Sequence, residues 1–585
     1  MSRRRIKKEQ RRDFRLDILT AVIFLIGGVI FFRLFTLQIL NHDFYAALAS
    51  NQHQIIESLM PERGQIFARD KYSETVFPLA SNQKLTLVYA IPKYIKNREE
   101  FAAKLAPILE MDKEAIAKRI DKENDLYEPL KNKVTDEKVE AIKRLNLKGA
   151  GFTAESWRVY PEAGLASHIL GFVGYDGDQR KGRYGLEGYY EEKLAGAPGF
   201  LEAEKDVAGR WISIGKKELK PAQDGDDLIL TIDRAVQYKA EAELAKAVEK
   251  WSADSGTIIV LDPQSGGILA MANNPNYNNN DYAAVSDVNV FNNNAIFENY
   301  EPGSSFKPIC MAIGVGQGIV SPQTTYTDTG AANVGGYTIR NYDNKIYGLQ
   351  TMTNVLEKSI NTGMVFVNQQ TGAEKIYQGL VKFGFNELSG IDLDTELQTA
   401  LPPARTWRTS NLATIGFGQG IAVTPIQLVA ATAGITNGGK ILAPHVVAEI
   451  VHHASDGQET REVIEPKVAR EAIDSATAAT LSAMLVSSME NGFAKAGRIP
   501  GYHLGGKTGT AQVPLKNAKG YEPDKVITSF IGFGPIEDPR FVILVKLNNP
   551  KSSETYHVVG ENTAGPVFRE LAQFLVNYYQ IAPSE

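Results

Sequence analysis

The N-terminus carries the pattern that most restricts how this chain can fold. Residues 1–15 contain eight arginines and lysines, and an uncharged apolar run follows from Ile18 to Phe32. Those 15 apolar residues are fewer than the roughly 20 that a helix needs to cross a bilayer. Because the side chain of Arg33 can reach the interface, the span can continue to Leu40. We therefore predict a basic cytoplasmic tail at 1–15 and one transmembrane helix at 16–40, with the remaining chain outside the membrane.

A cleaved signal peptide is the alternative interpretation of this segment. Ala47-Leu48-Ala49 resembles the small-residue sites at which signal peptides are cut. It lies well beyond the end of the apolar run, however, whereas cleavage usually follows that run closely. We therefore favour an uncleaved anchor.

The composition is that of a globular protein with more than one folded domain. The 585 residues exceed what one hydrophobic core holds, and 43% of them are hydrophobic against 22% charged. The net charge of -5 gives no general basis for nucleic-acid binding, because the positive charge is concentrated at the N-terminus. The single cysteine, Cys310, excludes an internal disulfide and a cysteine-based metal cage. We expect Cys310 to be a small buried residue and not a catalytic thiol.

Residues 41–225 have the pattern of an extended, mixed α/β module. Strand-forming residues cluster at 85–90, and three helical patterns follow. One face of each helical pattern is heavily charged, which is typical of a solvated face. The predicted helices are Arg98–Glu110, Asp112–Ile120 and Thr135–Leu145, with Thr135 as a candidate N-cap.

A second domain, 226–585, is predicted from strands at both of its ends. Two apolar runs around the turn Pro263–Gly267 indicate a hairpin near its start. A later strand pair is predicted at Thr528–Phe533 and Phe541–Leu547, and the amphipathic stretch Ala564–Tyr578 predicts a closing helix. The whole chain is therefore expected to be an α+β multidomain protein whose second domain is an antiparallel sheet covered by helices.

The stretch Glu301–Pro308 contains the candidate catalytic pair. Ser304 and Lys307 are three residues apart at the opening of a predicted helix, so they lie on one face. A serine hydroxyl is a poor nucleophile until a base removes its proton, and a lysine with a lowered pKa can do so. The same spacing occurs at Ser81–Lys84 and Ser213–Lys216, so spacing alone does not single out Ser304.

Two motifs further along the chain separate Ser304 from the other two serines. Ser359-Ile360-Asn361 and then Lys507-Thr508-Gly509-Thr510 follow it in the second half of the sequence. Enzymes that acylate a lysine-activated serine carry serine-x-x-lysine, serine-x-asparagine and lysine-threonine-glycine in this order. Any one of these motifs arises readily by chance, whereas the ordered set of three does not.

At this point the chain resembles the class B penicillin-binding proteins, which are monofunctional peptidoglycan D,D-transpeptidases. The resemblance covers most of the chain after the anchor, and Asp206–Arg210 is somewhat more similar to the division (septal) branch. One departure is Ala68-Arg69-Asp70, where the family usually has an aspartate–arginine pair and a glycine turn. Besides the three motifs, the resemblance is carried by Arg63–Ile66, Arg158–Pro161, Gly185–Glu187, Leu194–Gly196, Leu230–Asp233, Gly416–Gly420, Thr424-Pro425 and Phe530–Phe533.

The resemblance implies acyl transfer on stem peptides that end in D-Ala-D-Ala. Ser304 would attack the carbonyl between the two D-alanines with Lys307 as base. Ser359 and Asn361 would contact Lys307 and the substrate amide and help relay a proton to the leaving D-alanine. An amine of a second stem would then attack the acyl-enzyme and form a crosslink. Backbone N–H groups of Ser304 and Thr510 would form the oxyanion hole. The implied catalytic residues are Ser304, Lys307, Ser359, Asn361 and Lys507, and the implied substrate-binding residues are Thr508, Gly509 and Thr510.

The resemblance also implies partners and a location. No metal or cofactor is needed, and β-lactams are expected to act as covalent inhibitors. The anchor and the N-terminal module are expected to contact a polytopic peptidoglycan glycosyltransferase of the division or elongation machinery. The catalytic domain is expected on the extracytoplasmic side of the cell membrane.

A phosphate-binding enzyme is formally possible, because Gly501–Thr508 satisfies the phosphate-loop pattern. A true phosphate loop opens a helix, whereas Gly509–Pro514 has the pattern of a strand or turn, and an extracytoplasmic domain meets little ATP. We therefore reject the ATPase.

Other serine acyl-enzymes are closer alternatives. A D,D-carboxypeptidase would use water as acceptor, and the three motifs do not exclude it. A non-enzymatic β-lactam sensor would require a cytoplasmic signalling domain, for which only about fifteen residues are available. A β-lactamase would lack the large N-terminal module, and a bifunctional synthase would need a glycosyltransferase motif that residues 41–225 do not show.

Overall fold

The computed structural model describes residues 54–122, 124–177, 179–204, 217–454, 457–515, 520–551 and 558–584. The predicted tail and anchor at 1–40, the Ser213 motif and the stretch Asp206–Arg210 lie outside these residues. Within them, no helix combines the length and the apolar character that a bilayer crossing requires.

The strands are numbered in chain order. They are β1 (Gln54–Leu59), β2 (Ile66–Asp70), β3 (Ser73–Ala90), β4 (Glu128–Val134), β5 (Ala150–Val159), β6 (Phe172–Asp176), β7 (Gln179–Arg183), β8 (Gly199–Glu204), β9 (Lys217–Lys220), β10 (Asp227–Asp233), β11 (Ser255–Leu261), β12 (Ile268–Asn274), β13 (Thr325–Asp328), β14 (Ala331–Val334), β15 (Tyr337–Arg340), β16 (Gly348–Thr351), β17 (Lys440–Leu442), β18 (Val447–His453), β19 (Glu459–Val463), β20 (Val468–Glu471), β21 (Gly505–Pro514), β22 (Tyr521–Gly534) and β23 (Phe541–Asn548).

The α-helices are numbered in the same way. They are α1 (Arg98–Leu109), α2 (Lys113–Arg119), α3 (Asp136–Arg144), α4 (Ser167–Leu170), α5 (Gly185–Tyr189), α6 (Glu191–Leu194), α7 (Arg234–Lys250), α8 (Asn294–Phe297), α9 (Lys307–Gly316), α10 (Met352–Glu357), α11 (Asn361–Thr371), α12 (Ala373–Lys382), α13 (Thr409–Ile415), α14 (Pro425–Thr436), α15 (Ser475–Asn491) and α16 (Ala564–Tyr578).

The chain divides into two compact units. In the first unit, the described residues 54–61, 197–204 and 217–223 form an antiparallel sheet in the order β1-β8-β9. The second unit comprises residues 62–196 and 224–585 and contains all the motifs of the candidate site.

A seven-stranded sheet joins the two sequence segments of the second unit. Its order is β19-β18-β10-β2-β3-β4, with β5 also paired to β3. The pairing of β10 with β2 is parallel, whereas the other pairs are antiparallel. Helices α1, α2 and α3 pack beside β3 and β4 and begin and end within one or two residues of the predicted bounds. Thr135 occupies the N-cap position of α3, but its side chain makes no capping hydrogen bond.

A buried ion cluster holds the segment 62–196 together. Glu187 is fully buried and lies 2.6 Å from both Arg63 and Arg158, and Arg63 also lies 2.6 Å from Glu191. The hydroxyl of Tyr160 donates to Glu187 at 3.1 Å. Burial alone would raise the pKa of Glu187, but the two arginines outweigh it and lower that pKa. Three of the family stretches recognised in the sequence therefore meet at this cluster.

The five-stranded sheet that carries the candidate site is antiparallel throughout, in the order β12-β11-β23-β22-β21. Successive residues of a strand face opposite sides, and both faces of β11 are buried. Ile258 and Val260 belong to a core with α7 and α16. Ile259 and Leu261 belong to the core that includes α9, α11 and α14. The predicted antiparallel sheet covered by helices is confirmed.

Candidate active site

Ser304 lies in a short 3₁₀ turn, Gly303–Phe306, that leads directly into α9. Gly303 has a φ of 57°, in the left-handed region that glycine adopts without strain. Its N–H donates to the carbonyl of Gly418 at 3.0 Å, so the Gly416–Gly420 turn supports the serine. Ser304 is half-buried at the cleft surface, whereas the residues that follow it in the turn are buried. A supported turn of this kind holds the hydroxyl at a fixed place in the cleft.

Lys307, the first residue of α9, is fully buried and reaches the second motif. Its Nζ lies 2.5 Å from the carbonyl oxygen of Ser359, 3.2 Å from Ser359 Oγ and 2.8 Å from Asn361 Oδ1. None of these hydrogen bonds goes to Ser304 Oγ, although the two residues were predicted to share a helix face. The amine is therefore oriented by the second motif.

Ser359 sits in the connection between α10 and α11 with a φ of 51°, which is strained for a residue other than glycine. Backbone hydrogen bonds on both sides hold this conformation, from Ser359 N to Leu356 O at 3.3 Å and from Ile360 N to Val355 O at 2.9 Å. The strain turns both the carbonyl and the hydroxyl of Ser359 toward Lys307. Asn361 accepts from Lys307 and donates through Nδ2 to the carbonyl of Arg340 at 3.0 Å, which fixes the orientation of its amide.

Lys507 enters the site from β21, the edge strand of the sheet. It is fully buried, and its Nζ donates to Ser359 Oγ at 3.0 Å. The Ser359 hydroxyl therefore lies between the amines of Lys307 and Lys507. The structure thus brings together four of the five predicted catalytic side chains by hydrogen bonds, and Ser304 lines the same cleft.

The two lysines are strongly perturbed. Burial lowers the pKa of Lys307 well below its ordinary value, and the charge of Lys507 lowers it further. Burial lowers the pKa of Lys507 to about 7, against an opposing effect of Glu561. Both shifts favour the uncharged amine, and the charge of Lys507 opposes a second positive charge on Lys307. A neutral lysine beside the serine is a competent base.

Gly509 allows β21 to approach the serine turn. A Cβ at this position would lie 2.2 Å from Ser529 Oγ and 3.0 Å from the carbonyl oxygen of Pro302, so only glycine fits. A Cβ on Gly303 would lie 2.8 Å from the carbonyl oxygen of Thr510. The backbones of the first and third motifs are thus adjacent, as an oxyanion hole made from both requires.

The site opens into a cleft of about 730 Å³ that Ser304, Ser359, Asn361, Thr508 and Thr510 line. One wall of this cleft was missed in the sequence: the hairpin of β14 and β15 and the loop that follows it, including Arg340 and Asp343. A signal was present, because Gly335-Gly336 separates two strand-forming runs and both glycines have positive φ. A cleft of this volume lies within the range of pockets that bind drug-sized ligands.

The approach to α16 also contributes two residues that the sequence did not indicate. Gly560 donates its N–H to Thr510 Oγ1 at 3.1 Å, which leaves the hydroxyl proton of Thr510 available to a ligand. Glu561 lines the cleft. No local pattern marks these residues, because their proximity to the motifs exists only after the last helix has packed on the sheet.

The structure also excludes three alternatives: the Ser81 motif, a catalytic Cys310 and the phosphate loop. Ser81 and Lys84 lie within β3, where residues three apart point to opposite faces. Cys310 is fully buried, as predicted, and burial raises the pKa of its thiol to about 12, so it is no nucleophile. Gly505–Pro514, which includes the end of the phosphate-loop pattern, is the strand β21 and not the start of a helix.

A serine at a supported turn, with two buried lysines bridged by a second serine, defines a lysine-activated serine acyl-enzyme on a helix-covered antiparallel sheet. Comparison with known families gives the particular family. The model of the penicillin binding protein transpeptidase domain matches residues 256–573, more than half of the chain. The model of the penicillin-binding protein dimerisation domain matches residues 58–230. The chain belongs to the penicillin-binding proteins that combine these two domains.

Individual relatives agree with this assignment. Stage V sporulation protein D of Bacillus subtilis is 33% identical over 553 residues, which cover 93% of this chain and 83% of that protein. A peptidoglycan D,D-transpeptidase FtsI homolog of Mesostigma viride is 29% identical, and the alignment covers 99% of this chain and 98% of that protein. The crystal structure of a peptidoglycan synthetase from Bifidobacterium adolescentis has a TM-score of 0.71 and 26% identity, over 91% of this chain and 98% of that one.

Proposed function

We propose that this protein crosslinks peptidoglycan as a penicillin-sensitive D,D-transpeptidase. The observation that carries the proposal is the hydrogen-bonded group of Lys307, Ser359, Asn361 and Lys507 in the cleft that Ser304 lines. Among the relatives, the FtsI homolog of Mesostigma viride bears the name of this activity. The transpeptidase domain itself supports a stem peptide ending in D-Ala-D-Ala as donor and β-lactams as covalent inhibitors.

The hydrogen bonds of Lys307 indicate how its neutral amine would act as the base. A neutral amine has two N–H groups, and these are satisfied by two oxygens that can only accept, the carbonyl of Ser359 and the Oδ1 of Asn361. The lone pair is then left for a hydroxyl; the Ser359 hydroxyl lies 3.2 Å from the amine, and in our proposal Ser304 takes this place during acylation. Ser304 delivers its proton to this lone pair as its Oγ forms a bond to the carbonyl carbon between the two D-alanines.

The remaining groups handle charge and the leaving group. Backbone N–H groups of Ser304 and Thr510 would stabilise the oxyanion, and one such donor is worth about 3 kcal/mol in the transition state. The proton on Lys307 passes through the Ser359 hydroxyl to the nitrogen of the departing D-alanine as the C–N bond breaks. Thr510 donates to the ligand carboxylate, and Lys507 adds positive charge.

We further propose that residues 16–40 anchor the protein in the cell membrane with the catalytic domain on the extracytoplasmic side. The basic N-terminus and the apolar run support this topology. A polytopic peptidoglycan glycosyltransferase is the proposed partner, contacted through the anchor and the N-terminal module. The stretch Asp206–Arg210 supports the division branch.

Labelling with a fluorescent penicillin tests the nucleophile. Purified Ser304→Ala is expected to lose the covalent label, because no hydroxyl remains to be acylated. Ser81→Ala is the matched control, since it removes the serine of the same sequence spacing from a strand, and it is expected to keep the label. A label retained by Ser304→Ala and lost by Ser81→Ala would refute the assignment.

Muropeptide analysis shows whether the acyl acceptor is an amine or water. With glycan strands that carry pentapeptide stems, the protein is expected to form dimeric muropeptides that Ser304→Ala does not form. Release of D-alanine without dimers would instead support the D,D-carboxypeptidase.

A further inference from the structure

One carboxylate in the active-site cleft has no partner in the described part of the chain. Two acidic residues line the cleft, Asp343 and Glu561. Asp343 is engaged, because the hydroxyl of Tyr347 donates to it at 2.7 Å and the ammonium of Lys345 lies 3.2 Å away. Glu561 is partly buried, yet among the described residues it forms no hydrogen bond and no ion pair.

The backbone of this segment is fixed against the third motif. Gly560 donates to Thr510 Oγ1 at 3.1 Å, and a Cβ on Gly560 would lie 2.5 Å from the carbonyl oxygens of both Gly509 and Ser529. On the other side, Thr563 donates to Thr528 Oγ1 at 2.8 Å at the start of α16. The glutamate is therefore presented to the cleft from a segment with little freedom to move away.

Glu561 is partly buried, and this burial raises the pKa of its carboxyl group. The charges of Lys507 and Lys495 oppose this shift, but neither lysine comes within ion-pair distance. The other charged groups that line the cleft are cations, Arg340, Lys345 and Lys358, apart from the engaged Asp343. A ligand that brings its own ammonium group would supply the missing donors to Glu561.

We propose that Glu561 binds the ammonium group of the acyl acceptor, a primary amine carried by a second stem peptide. This inference rests on the proposed transpeptidase function. Glu561 would favour an amine over water as the acyl acceptor, and it would take no part in acylation.

The chemistry of the second half-reaction balances with this assignment. The nitrogen of the acceptor forms a bond to the acyl carbon while the bond from that carbon to Ser304 Oγ breaks. Of the three protons of the ammonium, one stays on the new amide and one returns to Ser304 Oγ through Lys307. The third leaves to solvent by way of the Glu561 carboxylate before the attack, because an ammonium nitrogen has no lone pair with which to form the new bond.

The test compares acylation and acyl transfer in one full-length protein in detergent. Acylation is followed as the rate of labelling by a fluorescent penicillin. Acyl transfer is followed with pentapeptide glycan strands, as the ratio of crosslinked product to the product hydrolysed at the same bond. The variants are Glu561→Gln, which keeps the shape but removes the charge, and Asp343→Asn, which removes a carboxylate that already has partners.

In Glu561→Gln, we expect the rate of penicillin labelling to stay within about twofold of wild type. We expect the ratio of crosslinked to hydrolysed product to fall by about tenfold or more, because one charge-assisted hydrogen bond to the acceptor is lost. In Asp343→Asn, we expect that ratio to stay within about twofold of wild type. With hydroxylamine as acceptor, which is uncharged at neutral pH, Glu561→Gln is expected to behave like wild type.

Three outcomes would overturn the inference. They are an unchanged product ratio in Glu561→Gln, an equal fall with hydroxylamine and with the ammonium acceptor, and a fall in penicillin labelling as large as the fall in crosslinking. The last outcome would mean that Glu561 acts through Lys507. Failure of the wild-type protein to crosslink at all, with labelling intact, would instead refute the proposed function, so the two failures are distinguishable.

Discussion

Replacing Lys507 by glutamine is expected to move the pH dependence of acylation. The two amines each lie about 3 Å from the same Ser359 oxygen, so they are at most about 6 Å apart. At an effective dielectric constant of about 20, two unit charges at about 6 Å repel each other by about 3 kcal/mol, or two pKa units. Removing the charge of Lys507 therefore raises the pKa of Lys307.

The measured quantity is the second-order rate of labelling by a fluorescent penicillin between pH 4.5 and 9, with each profile normalised to its own maximum. Normalisation separates the position of the acidic limb from the loss of ligand binding that Lys507→Gln also causes. In this variant the acidic limb is expected to shift to higher pH by one to two units, about the size of the lost repulsion. Lys358→Gln is the matched control, because Lys358 lines the same cleft but donates to Gln350 and not to Ser359. An acidic limb that stays in place in Lys507→Gln would refute the coupling of the two lysines.

Three further substitutions test the site and its support. Gly509→Ala places a Cβ 2.2 Å from Ser529 Oγ, so penicillin labelling should fall at least about 100-fold while circular dichroism stays native. In the folded protein the pKa of Lys507 is lowered from 10.5 to about 7, so the charged lysine destabilises the fold. This penalty is complete below pH 7 and fades as the pH rises toward 10.5, and Lys507→Met removes it. The Tm gain of this variant over wild type should therefore be larger at pH 6 than at pH 10. Glu187→Gln leaves two buried arginines underpaired, so chemical denaturation should show a loss of about 3–5 kcal/mol.

Much of the fold was predictable because long elements carry their own periodicity. The closing helix, Ala564–Tyr578, begins and ends at the predicted residues. The hairpin of β11 and β12 and the late pair β22 and β23 were also predicted, since their apolar runs are bounded by turn residues. What the sequence pattern could not give was the order of strands in the sheet, because the pairing of β11 with β23 joins residues nearly 300 positions apart. The parallel pairing of β10 with β2 was hidden for the same reason.

The motifs of the site were predictable, whereas their geometry was not. The resemblance implied that Ser359 and Asn361 contact Lys307, and the folded protein confirms this. The spacing indicated Ser304 as a further partner of Lys307, but none of the hydrogen bonds described for Lys307 goes to Ser304. Ser359 has a left-handed backbone conformation, and both its carbonyl and its hydroxyl contact the same amine. The residue types of the second motif do not predict that conformation. Glu561 was missed altogether, since it lies far along the chain from every motif and reaches the cleft only through the packing of α16.

The sequence by itself determined the chemistry that this protein can perform, because its ordered motifs specify the reacting functional groups: a serine hydroxyl, two lysine amines and an asparagine amide. It also determined the local elements, since helix and strand periods are set by neighbouring residues. The resemblance implied that Lys307 is the base, and the tertiary structure supplies the physical reason for its lowered pKa. Burial and the charge of Lys507 act on Lys307 through space, so the pKa of Lys307 depends on surroundings that come from separate segments of the chain.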